Sequence, residues 1–348
     1  MTPRKLATLL SIVAASAIAA PSLAAEEAGS ADFQKADALY KKLKMKEAES
    51  AFRDIIRKDP DNARAHQRLG AVLGAMGEEE TAILETKQAI KLDPKYFLSH
   101  IILGQLYANQ GKMDLALEEF KTAVSLKPTS FRATQDLGFA YAQMGKLDEA
   151  IATYKKAAEI ESKDPRPHIN MGVLMAQQNK FQDGIKAEEE ALRLDPQCVE
   201  AHVNLGNIYA EQGNPERAID SFRDAIRIAP NHPNAHSGLG WMLAKQGDAK
   251  GAQAEQRKAI KYQPNFAPAH RRLAQVLADG GNNAEATKEF QEALKWSPKD
   301  VTARVEYAQF LEKQGKKADA ITEYKKALEI NPNSKIAQEG ISKLSKTQ

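Results

Sequence analysis

Six of the seven histidines in this chain of 348 residues share one register: His66, His100, His168, His202, His236 and His270 are separated by 34 residues or by 68. Imidazole can ligate a metal, move a proton or pair with a carboxylate, so a column of such rings is the first place to look for chemistry. The register argues against a metal centre. If each ring sits in its own structural unit, neighbours lie roughly two helix diameters apart, about 20 Å, whereas one ion needs its ligands within about 2.1 Å. His232 and His236 have the i, i+4 spacing of a helical ligand pair, but Pro233 stands between them and places His232 ahead of the helix. The column therefore reads as packing and hydrogen bonding between units. Where such rings titrate near pH 6.5, acidification is expected to loosen that packing. No G-x-x-x-x-G-K-[ST] phosphate loop, H-E-x-x-H helix, C-x-x-C pair or G-x-S-x-G elbow occurs in the chain. The expectation is a protein that is not an enzyme and needs no metal or cofactor.

The histidine register belongs to a longer pattern. From Gly29 to Ser334 a unit of 34 residues recurs nine times without a gap, over 29–62, 63–96, 97–130, 131–164, 165–198, 199–232, 233–266, 267–300 and 301–334. Position 8 of the unit holds only Gly or Ala, as in Gly70, Gly104, Gly138, Gly172, Gly206, Gly240 and Ala274, and position 20 is Ala everywhere except Gly184. Two backbones must approach closely at both places. Position 32 is Pro in every unit but the fourth, which has Ser162, so each unit ends where a helix cannot continue. Within the sixth unit, Leu205, Tyr209, Ala218, Phe222 and Ala225 form two apolar stripes on either side of Gln212-Gly213-Asn214-Pro215. That spacing predicts a helical hairpin. Gly213 and its counterparts Gly77, Gly111, Gly145, Gly247, Gly281 and Gly315 stand where the first helix ends and a left-handed residue is expected.

These residues resemble the tetratricopeptide repeat family. Its pattern of Leu-Gly at positions 7 and 8, Tyr at 11, Ala at 20, Phe at 24, Ala at 27 and Pro at 32 is matched by Leu103, Gly104, Tyr107, Ala116, Phe120, Ala123 and Pro128, and the resemblance covers 306 residues. It implies an all-α fold, a right-handed superhelical α-solenoid of helix-turn-helix repeats, whose concave surface holds a protein or peptide. The chain departs from the family at position 4, where histidine replaces the usual aromatic. The fifth unit departs further, with Asn179, Gly184 and Glu188 where Gly, Ala and an aromatic are expected. That unit is expected to be the early-opening point, near Asp164 to Gly184. The family's carboxylate clamp for chaperone tails needs Lys at position 5 with Asn at position 9, a pair that none of the nine units contains.

What flanks the array is short. Residues 335–348 follow the last unit, with Ser334 as N-cap and Ile336, Ala337, Ile341 and Leu344 as one apolar stripe, which predicts a capping helix. At the other end Arg4 and Lys5 precede an uncharged run from Leu6 to Ala20, then Pro21 and Ser22-Leu23-Ala24. This reads as a secretory signal peptide over 1–24, cleaved after Ala24 and followed by a short segment, 25–28. The run of 15 residues spans only about 22 Å as a helix, short of a hydrocarbon core of roughly 30 Å. The mature protein is expected to be exported, periplasmic in a Gram-negative bacterium, with no direct membrane insertion. Cleavage removes two bases and no acid, reducing the net charge from +3 to +1. Nothing in that balance suits nucleic acid. Cys198, the single cysteine, cannot form an internal disulfide.

Function is then expected on the concave surface, which in the family is formed mainly by positions 2, 5, 9, 12 and 13. Ile101, Phe139, Ile169, Val173, Val203 and Trp241 occupy positions 5 and 9 of the middle units, beside Gln105, Asn109, Gln135, Gln143 and Asn207. Apolar anchors next to amides suit an extended or helical peptide, whose backbone the amides can pair. Arg132 and Arg166, with Arg64 and Arg271, line the same surface and could meet a partner's carboxylates. The reading is a protein-binding scaffold, with a role in assembling an envelope complex. Two alternatives stand beside it: a structural solenoid that forms homo-oligomers through its end hairpins, and a periplasmic carrier of metal or a small ligand.

Overall fold

The computed structural model describes residues 30–345. The expected signal peptide, the segment 25–28 and the last three residues of the expected capping helix lie outside the described residues. Among the described residues there are nineteen α-helices and no strands. They group into two compact units, residues 30–195 and 196–345.

The first unit contains five hairpins: α1 (Ala31–Lys41) with α2 (Met45–Lys58), α3 (Ala63–Ala75) with α4 (Glu79–Leu92), α5 (Phe97–Asn109) with α6 (Met113–Leu126), α7 (Phe131–Gln143) with α8 (Leu147–Ile160), and α9 (Arg166–Gln177) with α10 (Phe181–Leu194). The second contains four: α11 (Val199–Glu211) with α12 (Pro215–Ile228), α13 (Pro233–Lys245) with α14 (Ala249–Tyr262), α15 (Ala267–Asp279) with α16 (Asn283–Trp296), and α17 (Val301–Lys313) with α18 (Lys317–Ile330), followed by α19 (Lys335–Ser345). The division falls after α10, beyond the stretch 164–184 expected to open first.

Local chemistry explains the hairpin. Five of the nine first helices begin at a cap whose side chain accepts a backbone N–H three residues on, as Asn62 does from Ala65, Ser130 from Ala133 and Asp300 from Ala303. They end at the glycine column, where φ runs from +71° to +87°. A Cβ would be strained there, and the two units lacking Gly accept that strain in Leu43 (φ 59°) and Asn179 (φ 61°).

Helix then packs on helix through the two small-residue columns. Ala48, Ala82, Ala116, Ala150, Ala218, Ala252, Ala286 and Ala320 are fully buried. At position 8, Gly104, Gly138 and Gly206 lie directly under the rings of Phe120, Tyr154 and Phe222. Burying such a ring contributes about 1.5–3 kcal/mol, and the missing Cβ is what allows the contact. Glu188 occupies the same slot over Gly172 and is completely buried.

At the C-terminal end, Ala337, Gly340 and Leu344 of α19 are buried, the first and last joining the core of the last two hairpins. Ile336, expected on that apolar stripe, is instead half exposed.

Candidate interaction surface

The wall that could receive a partner is set by how successive hairpins meet. Within the first unit α1 packs on α3, α3 on α5 and α5 on α7; within the second, α11 packs on α13, α13 on α15 and α15 on α17. No two successive second helices pack comparably among the described residues. First helices are therefore crowded together and second helices splayed apart, which bends each stack and makes the first helices its inner wall.

That crowding decides which residues remain on the wall. Ile101, Ile169, Val173 and Val203 are at most 4% exposed. They are core residues and do not present an anchor to a partner: Ile101 packs with Leu98 of its own helix, Ala123 of α6 and Ala133 of α7. Gln135 and Asn207 are buried as well. Phe139 and Trp241 keep part of their rings in solvent, and Asn109 and Gln143 are exposed amides.

Three of the arginines and Gln105 are engaged by the chain itself. Gln105 joins two charges of α7: its Nε2 donates to Asp136 Oδ2 at 2.8 Å, and its Oε1 accepts from Arg132 Nη2 at 3.0 Å. Both ends of the amide are engaged within the chain, which fixes its orientation and leaves one N–H of Nε2 beyond these two bonds. Burial pushes the Asp136 carboxyl up to about 7, against the pull of Arg132 and the Gln105 bond. Arg166 grips Asp164 with two nitrogens, at 3.0 and 2.6 Å, and lies over the Phe131 ring. Arg271 gives one nitrogen to both oxygens of Glu306.

In the second unit, Trp241 packs against two cations, with Lys245 at 4.4 Å and Arg272 at 4.8 Å from its ring centre. Arg272 Nη1 donates to the carbonyl oxygen and the Oγ of Ser237, both at 3.0 Å. Burial, and then the charge of Arg271, lower the Arg272 guanidinium to about 9. Asp136 and Arg272 both stand at position 6, outside the positions read from the sequence as the binding wall. Arg68 and Glu306 stand at position 6 as well, and the signal that could have found these residues is a charge at a position that the remaining units fill with Gln34, Ile102, Asn170, Asn204 or Gly238.

Other chemistry is sparse. No group of three or more His, Cys, Asp or Glu that could hold a metal occurs among the described residues. No described helix is long and apolar enough to cross a membrane. Cys198 is buried and in no disulfide. A cleft of about 590 Å³ between α16, α17 and α18 is lined by Gln291, Tyr307 and Asp319, and by Arg304 and Lys326, which are already bound to Glu323.

Three family models match the chain. One described as a tetratricopeptide repeat matches residues 33–97, 170–233 and 271–335, more than half of the sequence. A second, described as a TPR repeat, matches 104–145 and 138–179, and a third, again a tetratricopeptide repeat, 209–276. No curated protein matches the sequence. Among solved structures, a tetratricopeptide repeat protein from Parabacteroides merdae aligns with a TM-score of 0.58 at 18% identity, over 71% of this chain and 97% of that one. A chain of the APC/C hetero-tetramer Cut9-Hcn1 aligns with a TM-score of 0.55 at 18% identity, over 90% of this chain and 55% of that one. At such identities the likeness establishes the fold alone.

Proposed function

Because the chain belongs to the tetratricopeptide repeat family, we propose that it is a non-catalytic scaffold that binds peptide segments of a protein partner on the first-helix wall of each stack. The observation that carries this reading is the contrast along the wall. Most apolar and charged side chains are satisfied within the chain, while Phe139 and Trp241 present partly covered rings with the exposed amides Asn109 and Gln143 near the former in register. Rings held rigidly by neighbours lose little entropy on binding and make good anchors. Ala108 and Ala142 in the first unit, and Ala244 and Ala278 in the second, stand at position 12 and let a backbone come close. The basic-then-apolar N-terminus supports export, and with it a role in assembling an envelope complex.

The test is affinity capture from an envelope extract, comparing the mature protein with a Phe139→Glu, Trp241→Glu variant that keeps its full helical circular dichroism. Loss of a specific polypeptide supports the wall as the binding site. An unchanged set of partners refutes it and moves binding to the second-helix face or to the ends.

A further inference from the structure

Four of the position-4 histidines have an acceptor at both ring nitrogens. Nδ1 of His66, His100, His236 and His270 lies 2.6, 2.7, 2.6 and 2.6 Å from Oε2 of Glu85, Glu119, Glu255 and Glu289, each on the second helix of the same hairpin. Nε2 of the same rings lies 3.0, 3.1, 2.9 and 2.9 Å from the carbonyl oxygens of Pro60, Pro94, Pro230 and Pro264, which close the preceding hairpin. A peptide carbonyl and an ionised carboxylate can only accept. A ring bonded to both must donate twice, which only the imidazolium form does. Moving the proton to the glutamate would also keep both bonds, but an ordinary glutamate gives up its proton near pH 4.3 and an ordinary histidine near 6.5. Glu85 and Glu119 keep about a quarter of their side chains in solvent, and Glu255 and Glu289 13% and 14%, so the proton stays on the ring.

The ninth hairpin supplies an internal control. Arg304 stands in the histidine register there, donating from Nη1 to Glu323 Oε2 at 2.9 Å and from Nη2 to the Pro298 carbonyl at 2.8 Å. A permanently charged group thus reaches the same two acceptors. We propose that His66, His100, His236 and His270 are imidazolium cations in the folded protein, each a proton-dependent staple joining the second helix of its hairpin to the end of the hairpin before it. The staple is missing from the fourth to sixth hairpins: Thr134 faces the register of Thr153, His168 that of Ala187, and His202 that of Ser221, with His202 Nε2 only 3.4 Å from the Pro196 carbonyl.

Charged groups face each ring. At His66 and His100 they are Glu85 and Glu119. At His236, Glu255 also binds Lys258, His232 opposes the charge, and the Tyr262 ring packs at 5.4 Å. At His270, Glu292 adds to Glu289. The Glu119 bond raises His100 above the usual 6.5 against burial; at His270 burial pulls down, and the bonds to Glu289 and Pro264 more than offset it. A raised folded pKa means stabilisation that is complete below about 6.5 and lost as pH climbs through the higher folded value. At His100 and His270 the expectation that acid loosens the packing is therefore reversed: alkali loosens it. His168 and His232, lowered by burial, are the two that acid destabilises.

Long-range proton–nitrogen NMR on the mature protein at pH 7, assigned with single His→Gln variants, tests the protonation directly. Four rings with both nitrogens protonated are expected; a lone-pair nitrogen on any of the four overturns the proposal. As a second arm, amide protection of α15 and α16, corrected for intrinsic exchange, is expected to fall between pH 6.5 and 9 by about tenfold for each unit by which folding raises His270. His270→Arg should abolish that fall while keeping the protection, and His270→Gln should lose the protection at pH 6.5. An arginine variant that behaves like the glutamine one refutes the staple.

Discussion

Helix propensity and packing make opposite predictions for Gly206→Ala, which makes this substitution a sharp test of how the hairpins are held together. Alanine is the better helix former by about 1 kcal/mol, so on propensity alone the change stabilises α11. In the structure a Cβ built on Gly206 lies 2.6 Å from Cε1 and 2.8 Å from Cδ1 of Phe222. The ring has little room to retreat, because the same ring atoms also lie against Gly238 of α13 and the side chain is fully buried. Overpacking of this kind costs about 1–3 kcal/mol, so the net expectation is a loss of about 1 kcal/mol, confined to the sixth and seventh hairpins. Gly280→Ala is the control. There the backbone φ is −85° and the new Cβ meets only the Val276 and Leu277 carbonyl oxygens, at 3.4 and 3.6 Å; the expected effect is between zero and a gain of about 1 kcal/mol. Repeat arrays do not unfold as one unit, so the assay is native-state hydrogen exchange on α11 to α13 rather than a single melting temperature. Phe222→Leu in the Gly206→Ala background should recover part of the loss, with a coupling of about 0.5–3 kcal/mol. Equal or higher protection in Gly206→Ala, or no coupling with Phe222→Leu, would refute the account.

Two further outcomes follow from buried charges on the wall. Asp136, raised to about 7 by burial, binds a proton in the folded state that the unfolded chain releases near pH 3.9, so its contribution is complete below that value and is lost as pH rises toward 7; the decline is on the order of 4 kcal/mol as an upper limit. Asp136→Asn should flatten the fall in protection of α7 between pH 4 and 7, and an unchanged slope would count against the burial argument. Arg272→Ala, made in a Trp296→Phe background so that Trp241 is the only indole, removes one of the two cations that lie over the ring. The Trp241 emission should shift to the red and its quenching by iodide increase; identical spectra would show that the guanidinium does not cover the ring.

Much of the fold was legible in the residues because the forces that build a hairpin are local. The Gly column takes left-handed φ, the position-20 alanines are buried, and a Pro ends nearly every unit, all within reach of the periodicity that a chain displays along its own length. The histidine register was equally visible, and so was the inference that its rings hydrogen-bond between hairpins. The sign of the pH response at His100 and His270 was not, because it depends in part on the Pro94 and Pro264 carbonyls, acceptors that only the stacking of one hairpin on the next brings to Nε2. The binding wall divides along the same line. Positions along a helix fix which side chains share a face, but the bend of each stack decides how much of that face the next helix covers. It buries Ile101, Ile169, Val173 and Val203, ties Gln105 between Arg132 and Asp136, and leaves Phe139 and Trp241 partly open. Spacing alone determined the repeat and its joints; tertiary packing decided which polar groups meet a partner inside the chain and which surfaces remain for another molecule, since burial depends on neighbours that the sequence places 34 residues away.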